Sequence, residues 1–153
     1  MGLDYIELTR IVSKASKDPR YQVGAMIVDT SGDIVSTGYN GAPRRVKDNI
    51  SRYHKPLKDF YIVHAEANAI FNAARKGAST NACIMYIWGK APCAHCAGAI
   101  IQAGIFKVYY QPTILENSNW KESCEAAQVM FEEAGIITEL YYLPMSCDPS
   151  QKS

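Results

Sequence analysis

Four residues in two short runs carry the chemistry this sequence can do. His64-Ala65-Glu66 supplies an imidazole and a carboxylate, and Pro92-Cys93-Ala94-His95-Cys96 supplies two thiols three positions apart. One imidazole and two thiolates make three corners of a tetrahedral zinc site, and a site with only three protein ligands keeps its fourth corner for water, which makes it catalytic rather than structural. Glu66 lies two positions from His64 and has no place in that ligand set. A carboxylate beside a metal-held water is placed to move protons. A C-x-x-C pair alone says little, because redox motifs and structural zinc knuckles share it; joined to His-Ala-Glu, with a proline before the first cysteine, it becomes specific. His95, between the two cysteines, faces elsewhere, and His54 reads as an ordinary loop histidine.

The elements that must position these groups follow from the periodicity. Residues 64–76 read as an Ala-rich helix closed by Gly77, and residues 93–102 as a second helix that opens at the cysteines, with Pro92 just before its first turn. Two helix N-termini then point at one metal, and their positive ends favour anionic ligands and lower thiol pKa. Before them come a helix at residues 4–17, ended by Asp18-Pro19, and a hairpin of strands 22–29 and 34–39 turning at Thr30-Ser31-Gly32. Residues 44–59 form a long polar loop, either solvated or functional. Further strands are expected at 83–88, 106–110 and 136–143, and an amphipathic helix at 120–134. The order α-β-β-α-β-α-β-α-β, alternating from His64 onward, implies right-handed crossovers between parallel strands with the hairpin at one edge. The expected fold is an α/β three-layer α/β/α sandwich around a five-stranded mixed sheet. Residues 1–153 form one domain, with a core at about 4–143 and a loosely held tail at 144–153.

Composition narrows the partners. Hydrophobic residues make up 48% of the 153 and charged residues 20%, enough to build a core. A net charge of +1 gives little support to nucleic-acid binding, which needs a basic face. No apolar run is long enough to span a membrane, and the first residues lack a secretory pattern. Five cysteines, an odd number, point to a reducing interior, with Cys83, Cys124 and Cys147 read as small buried or surface residues. The expected location is the cytoplasm, or the host cytoplasm for a viral source.

The pair H-x-E and P-C-x-x-C is the signature of zinc-dependent nucleobase deaminases, in which a carboxylate relays protons to the ring nitrogen and the leaving ammonia. The flanking residues narrow the likeness. Ser16-Lys17-Asp18-Pro19 with Gln22-Val23-Gly24-Ala25, Ser36-Thr37-Gly38-Tyr39-Asn40-Gly41-Ala42-Pro43, His64-Ala65-Glu66-Ala67-Asn68-Ala69-Ile70 and Ile100-Ile101-Gln102-Ala103-Gly104-Ile105 resemble the deoxycytidylate (dCMP) deaminases. The likeness runs from about Tyr5 to Leu140. It implies conversion of dCMP to dUMP and ammonia for thymidylate synthesis, a homo-hexamer, and control by dCTP (activating) and dTTP (inhibiting) with Mg2+. By position it implies Zn2+ on His64, Cys93 and Cys96, proton transfer by Glu66, a sugar contact from Asn40 and a backbone contact to the base from Ala65.

Recognition of a 5′-phosphate would fall to cations near the first helix–strand junction, Lys17 and Arg20, although Arg20 reads equally as a solvated surface residue. Tyr109 and Tyr110, ending a strand, could add a hydroxyl. An effector site is expected in the loop after Gly41, where Arg44, Arg45 and Lys47 can meet a triphosphate and Asp48 a hydrated magnesium. Arg75, at the end of the His64 helix, matches an arginine the family links to effector control; it also complements a helix C-terminus. The sequence departs from regulated members here. Many of them read Asn-Gly-Cys-Ser-Asp-Asp where this chain has Arg44-Arg45-Val46-Lys47-Asp48-Asn49, so one acid remains and three basic residues have entered. A tRNA adenosine deaminase, a nucleoside or pterin-like deaminase, and an inactive zinc-bound regulator are the alternatives; the regulator is disfavoured by the presence of Glu66 with all three ligands.

Overall fold

The computed structural model describes residues 2–112 and 118–142. Five strands form one sheet in the order β2-β1-β3-β4-β5: β1 is Gly24–Val28, β2 Ile34–Tyr39, β3 Ile84–Trp88, β4 Lys107–Tyr110 and β5 Ile137–Leu140. β1 is antiparallel to both β2 and β3, whereas β3, β4 and β5 run parallel. The sheet is therefore mixed, with the hairpin at one edge, as the alternation of elements implies. The helices are α1 (Gly2–Ser13), α2 (Leu57–Tyr61), α3 (Ala65–Arg75), α4 (Ala94–Gln102) and α5 (Ser118–Ala134).

The layers follow from the two-residue period of the strands. Ala25, Ile27, Met85, Ile87 and Val108 pack with Ala69 of α3, Ile100 of α4 and Phe131 of α5. Their neighbours Met26, Val28, Tyr86 and Trp88 pack on the opposite face with Ile6 of α1. Three helices thus cover one face and α1 the other.

The seating of α3 matters most for the site. A side chain at Gly38 of β2 would put its Cβ 2.3 Å from the Ala69 nitrogen and 2.5 Å from the Ala65 oxygen, so only glycine allows this approach. Ala65, Ala69 and Ala73 present their methyl groups to the sheet, each fully buried. On the flank, Asn68 and Asn72, one helical turn apart, donate to the Tyr39 and Thr37 carbonyls of edge strand β2 at 2.8 and 2.7 Å. The Ser36 hydroxyl donates to the Ala69 carbonyl at 2.7 Å.

Two expectations are corrected. The first helix ends at Ser13 rather than 17: residues 14–16 continue as single turns bonded to carbonyls three residues back. The Ser16 hydroxyl then donates to the Asn40 carbonyl at 2.8 Å, which turns the chain inward before Asp18-Pro19. The polar loop at 44–59 contains a 3-10 turn, Ile50–Tyr53, begun by Asn49, whose side chain accepts the Ser51 N–H, and its later part enters α2. Each piece is shorter than two helical turns, too short for a periodic apolar pattern to mark it. The expected tail at 144–153 lies outside the described residues.

Candidate active site

His64 and Cys93 occupy the N-cap positions of α3 and α4, with extended backbone (φ −68°, ψ 154° and φ −79°, ψ 173°), and neither side chain caps its own helix. N-caps are normally Ser, Thr, Asp or Asn, whose side chains take the orphan N–H groups of the first turn. Here the two side chains turn toward each other instead. His64 Nδ1 lies 3.4 Å from Cys96 Sγ and 3.6 Å from Cys93 Sγ, and all three ligand atoms fall within 4.8 Å of one another. A tetrahedral zinc with ordinary Zn–S and Zn–N bonds places its sulfur and nitrogen ligands about 3.6 Å apart. The donor set and its spacing therefore fit zinc, with Nδ1 as the nitrogen ligand. The two thiols are coupled: the hydrogen bond between them draws Cys93 below the ordinary thiol range and pushes Cys96 above it, so Cys93 is the readier thiolate.

The cap that Cys93 cannot provide comes from α5. The Ala94 N–H donates to Ser123 Oγ at 2.9 Å. The Gly41–Val63 bridge, with N–H···O distances of 3.1 and 2.9 Å, fixes the chain just before His64 but caps no N–H of α3.

Glu66 sits in the first turn of α3 and is 4% exposed. Burial holds its carboxyl above the usual range, against the opposing pull of His64. His64, Ala65 and Glu66 line a cavity of about 690 Å³. Asn40 also lines it, but its amide is largely committed to the scaffold: Oδ1 accepts the Val23 N–H at 2.9 Å and Nδ2 donates to the Tyr21 carbonyl at 2.8 Å. Oδ1 keeps a second lone pair for a ligand hydroxyl.

The rest of the wall is basic and aromatic: Arg20, Lys55, Lys58, Lys90, Tyr21 and Trp120. Asp18, whose side chain is fully buried, organises it. Its Oδ1 accepts the backbone N–H groups of Arg20 (2.8 Å) and Tyr21 (3.0 Å), and its Oδ2 takes Lys58 Nζ (2.5 Å) and Asn40 Nδ2 (3.4 Å). Burial raises the Asp18 carboxyl, but the Lys58 ammonium and the two N–H groups outweigh it and leave it below the ordinary range.

Comparison with known proteins gives this arrangement its family. The family model of the cytidine and deoxycytidylate deaminase zinc-binding region matches residues 4–111. A probable deoxycytidylate deaminase of Drosophila melanogaster is 39% identical over 145 residues, covering 87% of this chain and 68% of the relative. An uncharacterized deaminase of the luxG 3′ region of Aliivibrio fischeri is 37% identical, covering 92% of both chains. The crystal structure of dCMP deaminase from the cyanophage S-TIM5 in apo form superposes with a TM-score of 0.71 at 26% identity, covering 91% of this chain and 95% of that one. The chain belongs to the cytidine and deoxycytidylate deaminase family.

The deaminase motif residues converge, and so does Arg20; several other sequence candidates do not. Lys17 lies outside the cavity lining, paired with Asp48 at 3.0 Å. Tyr109 and Tyr110 follow one another on β4, so they point to opposite faces of the sheet. Tyr109 stacks on Tyr86 with ring centroids 4.6 Å apart, Tyr110 is buried in the core beneath α5, and neither reaches the cavity. In the loop expected to hold an effector, Arg45 and Lys47 are exposed and Arg44 donates to Asn72 Oδ1 of α3 at 2.6 Å. Asp48 is engaged by Lys17 and by the Tyr53 hydroxyl at 2.8 Å. Burial and that carboxylate push the Tyr53 hydroxyl up to about 12. Arg75 ends α3.

Sequence reasoning missed Lys90, Tyr21, Trp120 and Ser123 of this deaminase site. The one available signal was a lone lysine three positions before the first cysteine.

Proposed function

We propose that this protein hydrolyses dCMP to dUMP and ammonia, with zinc held by His64, Cys93 and Cys96. The observation that carries the reading is Glu66: a buried carboxyl in the first turn of α3, at the cavity wall, beside three metal-fitting ligands and not needed as a fourth. Zinc bound there supplies Lewis acidity, which makes a water acidic enough to be deprotonated near neutral pH. Glu66 accepts a proton from the attacking water and passes it to N3 of the base as the water oxygen bonds to C4. It then carries the second proton to the amino nitrogen, which leaves as ammonia. Its raised pKa suits a group that must hold a proton between these transfers. The first-turn N–H groups of α3 face no helical partner and can meet the base, which is the role proposed for the Ala65 backbone. Asn40 Oδ1 accepts a sugar hydroxyl.

The test is ammonia release from dCMP, dCTP, deoxycytidine and a tRNA anticodon stem-loop, measured side by side. dCMP is expected to be the preferred substrate. Glu66→Gln is expected to keep zinc and fold while losing about 10²- to 10⁴-fold in turnover. Near wild-type turnover by that variant would overturn the mechanism, and equal efficiency on dCMP and deoxycytidine would remove the monophosphate.

Three finer parts belong to the same reading: a homo-hexamer, a cytoplasmic location, and control by dCTP and dTTP with Mg2+ through Gly41, Arg44, Arg45, Lys47, Asp48 and Arg75. Exposed Phe60 and Phe71, 77% and 59% accessible, support an assembly. The cations of residues 44–47 support triphosphate binding, although magnesium at Asp48 would have to compete with Lys17. dCMP saturation curves unchanged by either triphosphate with magnesium, together with no dTTP binding, would refute effector control; sedimentation tests the hexamer.

A further inference from the structure

We propose that Lys90 is the residue that binds the anionic 5′-phosphate of the nucleotide, its ammonium presented to the cavity between the rings of Tyr21 and Trp120. The proposal rests on the reading of the site as one for a cytosine nucleotide and names the group that selects the phosphorylated form.

Lys90 Nζ lies 3.9 Å from the Tyr21 ring centroid and 4.3 Å from that of Trp120, and all three residues line the cavity that holds His64 and Glu66. Two aromatic faces hold a cation by its charge without consuming its hydrogen-bond donors in an ion pair. Lys90 makes no ion pair with any described residue. The buried acid on that wall, Asp18, is already satisfied by two backbone N–H groups, Asn40 and Lys58. Of the two half-buried lysines that line the cavity, Lys58 neutralises Asp18, and Lys90 is left without an ion pair among the described residues.

The other cations of the wall are less suited. Arg20 and Lys55 are exposed, so water and salt screen them, whereas a half-buried ammonium attracts an anion several times more strongly. Burial, followed by the repulsion of Lys58, lowers Lys90 to about 8, a cost that a bound phosphate would reverse. Position agrees. The Trp120 ring that carries the ammonium is also the ring next to His64, with centroids 6.3 Å apart. The cation therefore stands one ring away from the metal ligands, where a nucleotide with its base at Glu66 can extend its phosphate.

The experiment compares the binding of dUMP and deoxyuridine by calorimetry on zinc-loaded wild type, Lys90→Met and Lys90→Arg, with inorganic phosphate as a competitor of dCMP turnover. Methionine keeps the length of the side chain between the rings and removes the charge. The expected result is a loss of about 10- to 100-fold in the preference for dUMP over deoxyuridine in Lys90→Met, a matching weakening of phosphate inhibition, and retention of both in Lys90→Arg. A preference kept by Lys90→Met overturns the assignment of Lys90. An equal loss for both ligands also overturns it, since the lysine would then serve the base. A wild type that binds the two ligands alike refutes the monophosphate reading itself, a separate failure. Should Lys90→Met not fold, wild type with 13C-methylated lysines decides: the Lys90 resonance, displaced by two ring currents, must move on addition of inorganic phosphate and stay still with deoxyuridine. A resonance that ignores phosphate overturns the proposal.

Discussion

Asp18→Asn should cost this protein about 3 kcal/mol of folding stability at pH 7, a figure that follows from where each atom of the side chain is committed. Oδ1 accepts two backbone N–H groups, so in the variant the amide oxygen must stay there, and the new NH2 group takes the place of Oδ2. It then faces two donors, Lys58 Nζ and Asn40 Nδ2, and can satisfy neither. Removing one partner of a buried ion pair costs about 3–5 kcal/mol, chiefly because the other charge is left unpaired. Lys58 keeps 21% of its side chain exposed and can swing partly into water, which places the cost at the lower end. With a urea slope of about 2 kcal/mol/M, the unfolding midpoint should fall by about 1.5 M.

The pH dependence supplies a sharper check on the same substitution. The folded carboxyl titrates below its ordinary value, so its stabilisation is fully present above the unfolded pKa of about 3.9 and is lost as pH falls through the lower folded value. The gap between wild type and variant should stay constant from about pH 5 to 8 and close below about pH 4. Lys58→Met in a double-mutant cycle should show a favourable coupling with Asp18. A midpoint shift under about 0.3 M at pH 7, or a gap that widens in acid, would refute the claim that Asp18 is the anchor of this wall.

Ser123→Ala removes the acceptor for the Ala94 N–H and should cost about 1 kcal/mol, read by urea unfolding of the zinc-loaded protein. It should also weaken zinc retention in a chelator competition, because Ala94 adjoins a ligand. Gly38→Ala forces a Cβ to within 2.5 Å of α3 backbone atoms, and the expected outcome is loss of cooperative thermal unfolding or of zinc binding rather than a small shift. If Lys90 binds phosphate, KM for dCMP should be flat below about pH 8 and rise above it as the ammonium is lost, while KM for deoxycytidine should not share that rise. The ionisable groups facing Lys90 are Lys58, Asp18, Lys55 and Cys124, with the Tyr21 ring against it and His64 beyond Trp120; Asp18 stays ionised over this range, and burial raises the Cys124 thiol to about 11.

The fold was legible in the sequence wherever a pattern repeats. Short β-rich apolar runs bounded by turn residues marked the strands, and the Ala-rich and amphipathic runs marked α3, α4 and α5 to within a few residues. The mixed sheet followed from the order of elements, because a strand–helix–strand unit returns parallel and a tight hairpin antiparallel. What failed was the segment at 44–59, where a single capped turn and a five-residue helix leave no period to read, and the end of α1, where Ser16 gives its hydroxyl to a carbonyl 24 positions away.

The candidate site divides along the same physical line. The candidate metal ligands His64, Cys93 and Cys96 are legible because zinc dictates residue type and the helix dictates spacing, even though His64 and Cys93 break the rule for capping residues. That breach is itself informative. A histidine and a cysteine at two N-caps leave helix ends without their own side-chain caps, a fault expected where function has overridden local preference, and for α4 the remedy lies far off in sequence, in Ser123. Lys90 is the opposite case. Lysine before a turn is ordinary, and its meaning arises only when folding brings Tyr21 and Trp120 to either side of it while giving the buried Asp18 to Lys58. Residue types can thus reveal what chemistry a site performs, but the role proposed for Lys90 rests on a charge that finds no ion pair among the described residues, which only the folded arrangement can reveal.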